Sequence, residues 1–177
     1  ILVSLSKGGA EIKMALKEPD AKECFRMITA WLNVGGILEG SPMIKWLFRR
    51  KFRTLLYRLI FAMRKQDFGM IQALQHGMAG SLGFTLEVPK SWEILHVAGF
   101  PLHRHMSSPR AERWRHRLSK WGPNDSVLLL TELEKLPGLV YPVWGTDHYL
   151  QSQWEVSNLV RSLLNFIGMK QNLVQSF

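Results

Sequence analysis

An alcohol oxygen becomes a nucleophile only where a neighbouring base can take its proton and a tight turn presents it to a substrate. Ser6 stands in such a setting, within Ser4-Leu5-Ser6-Lys7-Gly8. An apolar run, Ile1 to Leu5, precedes it, and Ala10 to Lys17 follows with Ile12, Ala15 and Leu16 at helical spacing, so strand, turn and helix come in that order. Such a turn presses side chains against backbone, and the residues two before and two after the serine must be small. Here they are Ser4 and Gly8. A second stretch of this composition, Ala79-Gly80-Ser81-Leu82-Gly83, follows a helical pattern and precedes the extended Phe84 to Val88, which reverses the order. Ser6 is therefore the candidate nucleophile.

Imidazole is the side chain best matched to take a serine proton near neutral pH and return it to a leaving group. His148 lies just past the apolar run Leu139 to Trp144, in Gly145-Thr146-Asp147-His148. Such a histidine needs an acid to fix its tautomer, and two compete: Asp125, in the turn Trp121-Gly122-Pro123-Asn124-Asp125-Ser126, and the adjacent Asp147. Neighbouring side chains on an extended segment point apart, which disfavours Asp147. The bland alternative is that His148 caps a loop and Asp125 closes its own turn. His103-x-His105 and His116 have no carboxylate or cysteine at ligand spacing, so neither a metal nor a cofactor is expected.

The elements that must position these groups alternate. Met27 to Val34 reads as a buried strand closed by Gly35-Gly36, which makes Ile1 to Val34 a βαβ unit and predicts a parallel sheet with ligands beyond its carboxyl ends. The loop from Gly35 to Pro42 either approaches a ligand closely or is a plain turn. From Met43 to about Met70 the pattern is that of a long amphipathic helix or helical pair, with basic residues on the face opposite the apolar stripe. Glu93 to Leu102 and Leu139 to Trp144 read as strands, Ala111 to Trp121 as a short helix, and Gln151 to Ile167 as a covering helix that Gly168 stops.

The 23 basic and 14 acidic residues give a net charge of +9, but the excess is local. Residues 41–66 hold eight basic side chains and no acid, residues 103–121 hold six against Glu112 alone, and the rest of the chain is net acidic. The aromatics of the first segment lie on its apolar stripe and not among its charges, which disfavours nucleic acid. An anionic membrane surface, met through residues 44–65, fits better. Cys24 is the single cysteine and cannot form an internal disulfide. No uninterrupted apolar run reaches the roughly 18 residues of a membrane-spanning helix, and no signal-peptide pattern opens the stretch. The compartment stays open, with cytoplasmic or membrane-peripheral placement expected. Opening on a strand, without Met, suggests a cut through a larger protein.

Ser4-x-Ser6-x-Gly8 resembles the nucleophile elbow of the α/β-hydrolase superfamily, usually Gly-x-Ser-x-Gly, with Ser4 replacing the first glycine. The Gly122-Pro123-Asn124-Asp125 turn and the Trp144-Gly145-x-Asp147-His148 ending resemble the acid and histidine loops of its lipase-like members. The resemblance covers nearly all of the chain but only the second half of that fold, from the nucleophile strand onward. It implies a mostly parallel sheet with flanking helices, a helical cap or lid at about residues 41–83, and a serine esterase using Ser6, His148 and Asp125 in the chain order serine, aspartate, histidine. It further implies an ester or lipid substrate and an oxyanion donor at the backbone N–H of Lys7, the second donor having no candidate here. A non-catalytic lipid-surface or partner-binding module with the same fold is the alternative, as is an acyltransferase or thioesterase with the same three residues. The open strand edge at residues 1–5 would favour association.

Overall fold

The structure is a computed structural model that describes residues 1–49, 51–65, 67–77, 81–102, 105–150 and 156–175. Four short apolar runs become strands: β1 (Leu2–Leu5), β2 (Ala30–Val34), β3 (Glu93–Phe100) and β4 (Leu139–Trp144). They pair in chain order and all run parallel, so the fold is α/β and every strand delivers its carboxyl end to one edge. The register aligns Ser4 with Asn33 and Asn33 with His96, which sets three polar side chains in one row across the sheet.

Central strands of a parallel sheet are covered on both faces, which is why β2 and β3 are apolar apart from that row and Glu93 at the start of β3. On one face Ala30, Leu32, Leu95, Val97 and Val143 pack under α7 (Val156–Gln175) through Leu159, Leu163 and Ile167, one residue per turn. On the other, Trp31 and Ile94 join Trp92 and Leu86, with Ile12 from α1 (Lys7–Ala15), Leu16, and Phe25 beyond α2 (Ala21–Cys24). β1 is an edge strand, and its Val3 and Leu5 remain exposed.

Between β2 and β3 come α3 (Pro42–Phe48), α4 (Lys51–Met63) and α5 (Gly69–Ala73). Ser41 caps α3, accepting from the Met43 N–H at 3.2 Å while its hydroxyl donates to the Val127 carbonyl at 2.5 Å, and Pro42 fills the first helical position. Both roots of this segment are tied to α1 by the buried Lys13 ammonium, which donates to the Leu38 carbonyl (2.8 Å), the Glu39 carboxylate (2.8 Å) and the Leu82 carbonyl (2.9 Å). All three of its donors are thus used, as burial of a lysine demands.

Several elements depart from the sequence reading. α1 starts at Lys7 and not at Ala10, so the helix leaves directly from the serine. β2 starts at Ala30, because Met27 is 80% exposed in a turn. Of the two readings of residues 43–70, the structure has the helical pair and adds a short third helix. Phe84 to Val88 forms no strand, although Leu86 is buried. Ala111 to Trp121 divides into α6 (Pro109–Leu118) and a 3₁₀ turn at Ser119–Trp121. α7 does not stop at Gly168 but runs to Gln175, since a mid-helix glycine costs only about 1 kcal/mol. Residues 151–155 of the expected covering helix lie outside the described residues.

Candidate active site

Ser6 ends the turn from β1 into α1 with φ 48° and ψ −112°, a region that side chains rarely enter and that costs on the order of 1–3 kcal/mol. Its backbone is held on both sides: the N–H donates to the Val34 carbonyl at 2.8 Å, and the carbonyl accepts from Gly9 and Ile37, each at 3.1 Å. From that fixed turn Ser6 Oγ lies 2.9 Å from His148 Nε2, and His148 Nδ1 lies 3.0 Å from Asp125 Oδ2. A carboxylate only accepts, so Nδ1 carries the proton and Nε2 is left to accept the serine O–H.

Asp125 has no exposed surface, and a bare charge there would be costly. Its other oxygen, Oδ1, accepts from the Val127 N–H (2.9 Å) and the Leu128 N–H (2.6 Å), so three donors face the carboxylate. The His148 N–H donates to the Asp125 carbonyl at 2.8 Å, which binds the two loops to each other. Asp147 turns the other way: its Oδ2 accepts from the Ser107 N–H (2.8 Å) and hydroxyl (2.6 Å), and its Oδ1 from the Tyr149 N–H (3.0 Å). The geometry brings Ser6, His148 and Asp125 together and leaves Asp147 out. Ser81 is exposed in a turn, and no helix starts from it as α1 starts after Ser6. Lys7 is the first residue of α1, whose N-terminal N–H groups and dipole present positive potential beside Ser6.

Sequence reasoning missed what lies beneath the elbow. Ser4 is more than a small residue in place of glycine: its hydroxyl accepts from Trp31 Nε1 (2.8 Å) and donates to Asn33 Oδ1 (2.8 Å). Asn33 Nδ2 then donates to His96 Nδ1 (3.0 Å), and His96 Nε2–H donates to the Pro137 carbonyl (2.9 Å). This buried row ties β1, β2 and β3 directly below the turn. Burial holds the His96 imidazole below its ordinary pKa, with the Pro137 hydrogen bond opposing more weakly, so the ring is neutral. The tight glycine of the elbow was also missed. A Cβ at Gly8 would sit 3.6 Å from Ser4 Cβ, an ordinary contact, whereas one at Gly9 would lie 2.7 Å from Asn33 Oδ1 and 2.8 Å from Gly36 Cα. The signal was the doubled glycine itself, Gly8-Gly9, facing Gly35-Gly36.

Of the loop Gly35 to Pro42, Gly35 does approach the site, at φ 56° and with a built Cβ only 3.3 Å from His148 Cε1. A mainly apolar cleft of about 390 Å³ opens beside Lys7, lined by Ala10, Met14, Ala73, Leu74 and Leu82. His105 and His116 are exposed on different segments, and His103 lies outside the described residues. Among the described residues, no three His, Cys, Asp or Glu side chains converge, and no helix is long and apolar enough to cross a membrane.

No family model matches the chain, and no curated protein matches it by sequence. Solved structures do. The Bacillus licheniformis lipase BlEst2 in its mature form is 20% identical, with a TM-score of 0.64 over 92% of this chain and 64% of the lipase. The propeptide form of the same lipase is 20% identical, with a TM-score of 0.60 over 88% of this chain and 34% of that one. The chain thus spans just under two thirds of the mature lipase, and over that span it has a lipase-like α/β fold.

Proposed function

We propose that the protein is a serine hydrolase that cleaves carboxylic esters. The observation that carries the reading is the continuous hydrogen-bonded chain from a strained serine through a tautomer-fixed histidine to a buried, fully partnered carboxylate. Ser6 Oγ attacks the acyl carbonyl while His148 Nε2 takes the hydroxyl proton. Asp125 holds the resulting imidazolium in place, and the N–H of Lys7 faces the developing oxyanion. His148 then returns the proton to the leaving alcohol, leaving an acyl-Ser6 ester. A water molecule, deprotonated by the same histidine, releases the acid and restores Ser6. The apolar cleft beside Lys7 suits the apolar part of an ester.

The same reading takes residues 1–177 as the part of such an enzyme from the nucleophile strand onward, with strands ahead of β1 bringing the second oxyanion donor. Residues 41–83 are its cap. An exposed apolar row on α4 favours this role, since Phe52, Leu55, Leu56, Leu59 and Met63 face solvent with Lys51, Arg58, Arg64 and Lys65 exposed around them. Such a helix suits an anionic lipid or substrate surface.

The test is a fluorophosphonate probe on the folded protein, with mass spectrometry to locate the adduct, beside hydrolysis of short and long p-nitrophenyl esters. Labelling of Ser6 that disappears in Ser6→Ala and His148→Ala is expected. A folded protein that takes no label and cleaves no ester, yet binds anionic liposomes equally well as Ser6→Ala, would replace the hydrolase with a lipid-binding module.

A further inference from the structure

A second polar pocket lies away from Ser6 and has no part in the chemistry above. It is a cleft of about 290 Å³ where α3 and α4 meet α6, lined by Trp46, Tyr57, Arg110, Arg113, Trp114 and Arg117. Positions 110, 113 and 117 are spaced three and four apart, which sets three guanidinium groups on one helix face. Neighbouring like charges on a helix repel, and Arg110 lies in the first turn, where the helix dipole also disfavours a cation. A surface helix would relieve this with carboxylates. Among the described residues none of the three is paired with one; Arg113 Nε donates to the Pro109 carbonyl at 3.3 Å.

The aromatic side of the cleft is built to hold a guanidinium still. Trp46 and Trp114 meet edge to face, with centroids 4.7 Å apart and planes at 90°. Arg117 Cζ sits 4.3 Å from the Trp46 centroid and 5.2 Å from that of Trp114, so two rings fix the plane of its fork. Stacking of this kind leaves the N–H edges of the fork available for a ligand. Tyr57 adds a hydroxyl to the same lining.

We propose that this cleft is a phosphate-binding site, taking a free phosphate or the phosphate of a lipid headgroup between Arg110, Arg113 and Arg117. Three unpaired guanidinium groups match the charge and the several acceptor oxygens of phosphate better than those of a single carboxylate. The site is independent of the hydrolase reading.

Calorimetric titration of the full chain with inorganic phosphate at fixed ionic strength tests it, alongside cosedimentation with phosphatidylglycerol and phosphatidylcholine vesicles. Saturable binding is expected, lost in Arg110→Gln/Arg113→Gln/Arg117→Gln and unchanged in Lys22→Gln/Lys90→Gln, which removes two exposed charges away from both this cleft and α4. Arg117→Lys keeps the charge but loses the planar fork, and about a tenfold weakening is expected. These side chains are exposed, so circular dichroism should show an unaltered fold. If the triple variant also leaves phosphatidylglycerol vesicles, the phosphate is a headgroup; if only free phosphate responds, it is a soluble ligand. The proposal fails if neither ligand's binding depends on the three arginines, or if Lys22→Gln/Lys90→Gln weakens binding as much.

Discussion

The carboxyl edge of the sheet and the helix α4 solve opposite problems. At the edge, polar groups point inward and are partnered: Ser4, Asn33, His96, Asp125 and His148 are all buried, and each has a named hydrogen-bond partner. On α4, apolar groups point outward and are bare. Burying polar groups costs free energy that only good geometry recovers, and exposing apolar ones forgoes about 25 cal/mol per Å². Both arrangements oppose what minimal folding stability would select. The difference is that the edge is rigid and closed on itself, whereas α4 is left open to something outside the chain.

The two buried aspartates give the largest test of the edge. In Asp125→Asn the amide can no longer hold the tautomer in which Nε2 accepts, and ester turnover should fall by about 10⁴. Asp147→Asn should change turnover less than about tenfold, yet lower the melting temperature, because hydrogen bonds to a charged group contribute about 1.5–3 kcal/mol each. Steady-state kinetics and thermal melts on both variants check this. Equal losses of turnover would mean that Asp147, too, governs the histidine.

Next in size is the pair of glycines under the elbow. Gly9→Ala drives a methyl into the Asn33 amide and the Gly36 backbone, and overpacking of this kind costs about 1–3 kcal/mol. Gly8→Ala meets only Ser4 Cβ at contact distance and should be close to neutral. Denaturant unfolding of the two variants distinguishes them. If Gly8 proves the more sensitive, the elbow is not held by the packing of Gly9 against Gly36.

His96 makes the closed edge sensitive to pH. Its pKa in the fold is lowered from the ordinary 6.5 by burial, so the unfolded chain binds the proton more readily. Stability is therefore full above about pH 6.5 and is lost as pH falls from there toward the lowered value. His96→Gln, which can still accept from Asn33 and donate to Pro137, should flatten that slope relative to the parent. Parallel slopes in the two proteins would place the titration elsewhere.

One atom breaks the pattern of the edge. Among the described residues, the Ser126 hydroxyl is the single buried side-chain polar atom without a partner, and its backbone sits at φ 84°. Glycine there removes the unpaired hydroxyl and adopts that φ freely, against its own entropic cost, so Ser126→Gly should stabilise by about 1 kcal/mol. A loss of stability in the isolated chain would mean that the entropic cost of glycine exceeds that of the unpaired hydroxyl.

How much of this was legible in the sequence follows from the range of the interactions. Strand, turn and helix around Ser6 were readable because hydrophobic spacing and small residues are local signals, and so was the parallel sheet. Asp125 could be preferred over Asp147 because adjacency alone limits where a side chain points. The row from Trp31 to Pro137 was not readable, since its members lie on three strands up to 63 positions apart in a single hydrogen bond. The stop assigned to Gly168 failed for the converse reason: a local helix breaker is overridden when Leu163 and Ile167 are already packed on the sheet. The second oxyanion donor has no signal in these residues.

The smallest expected effect concerns the other side of the comparison. If α4 were a core helix displaced outward, replacing its apolar row would disturb packing as it does at Leu163, where truncation to Ala should cost about 2–5 kcal/mol. Leu55 and Leu59 are instead 65% and 57% exposed, so Leu55→Gln/Leu59→Gln should alter stability by no more than about 0.5 kcal/mol per site. Any effect should appear in contact with a surface: weaker cosedimentation with anionic vesicles and poorer turnover of aggregated, long-chain esters than of soluble, short ones. A variant that melts several degrees lower with unaltered vesicle binding would make α4 part of the core after all. The contrast between a closed edge and an open helix would then be one of accessible surface alone, with no partner needed to account for it.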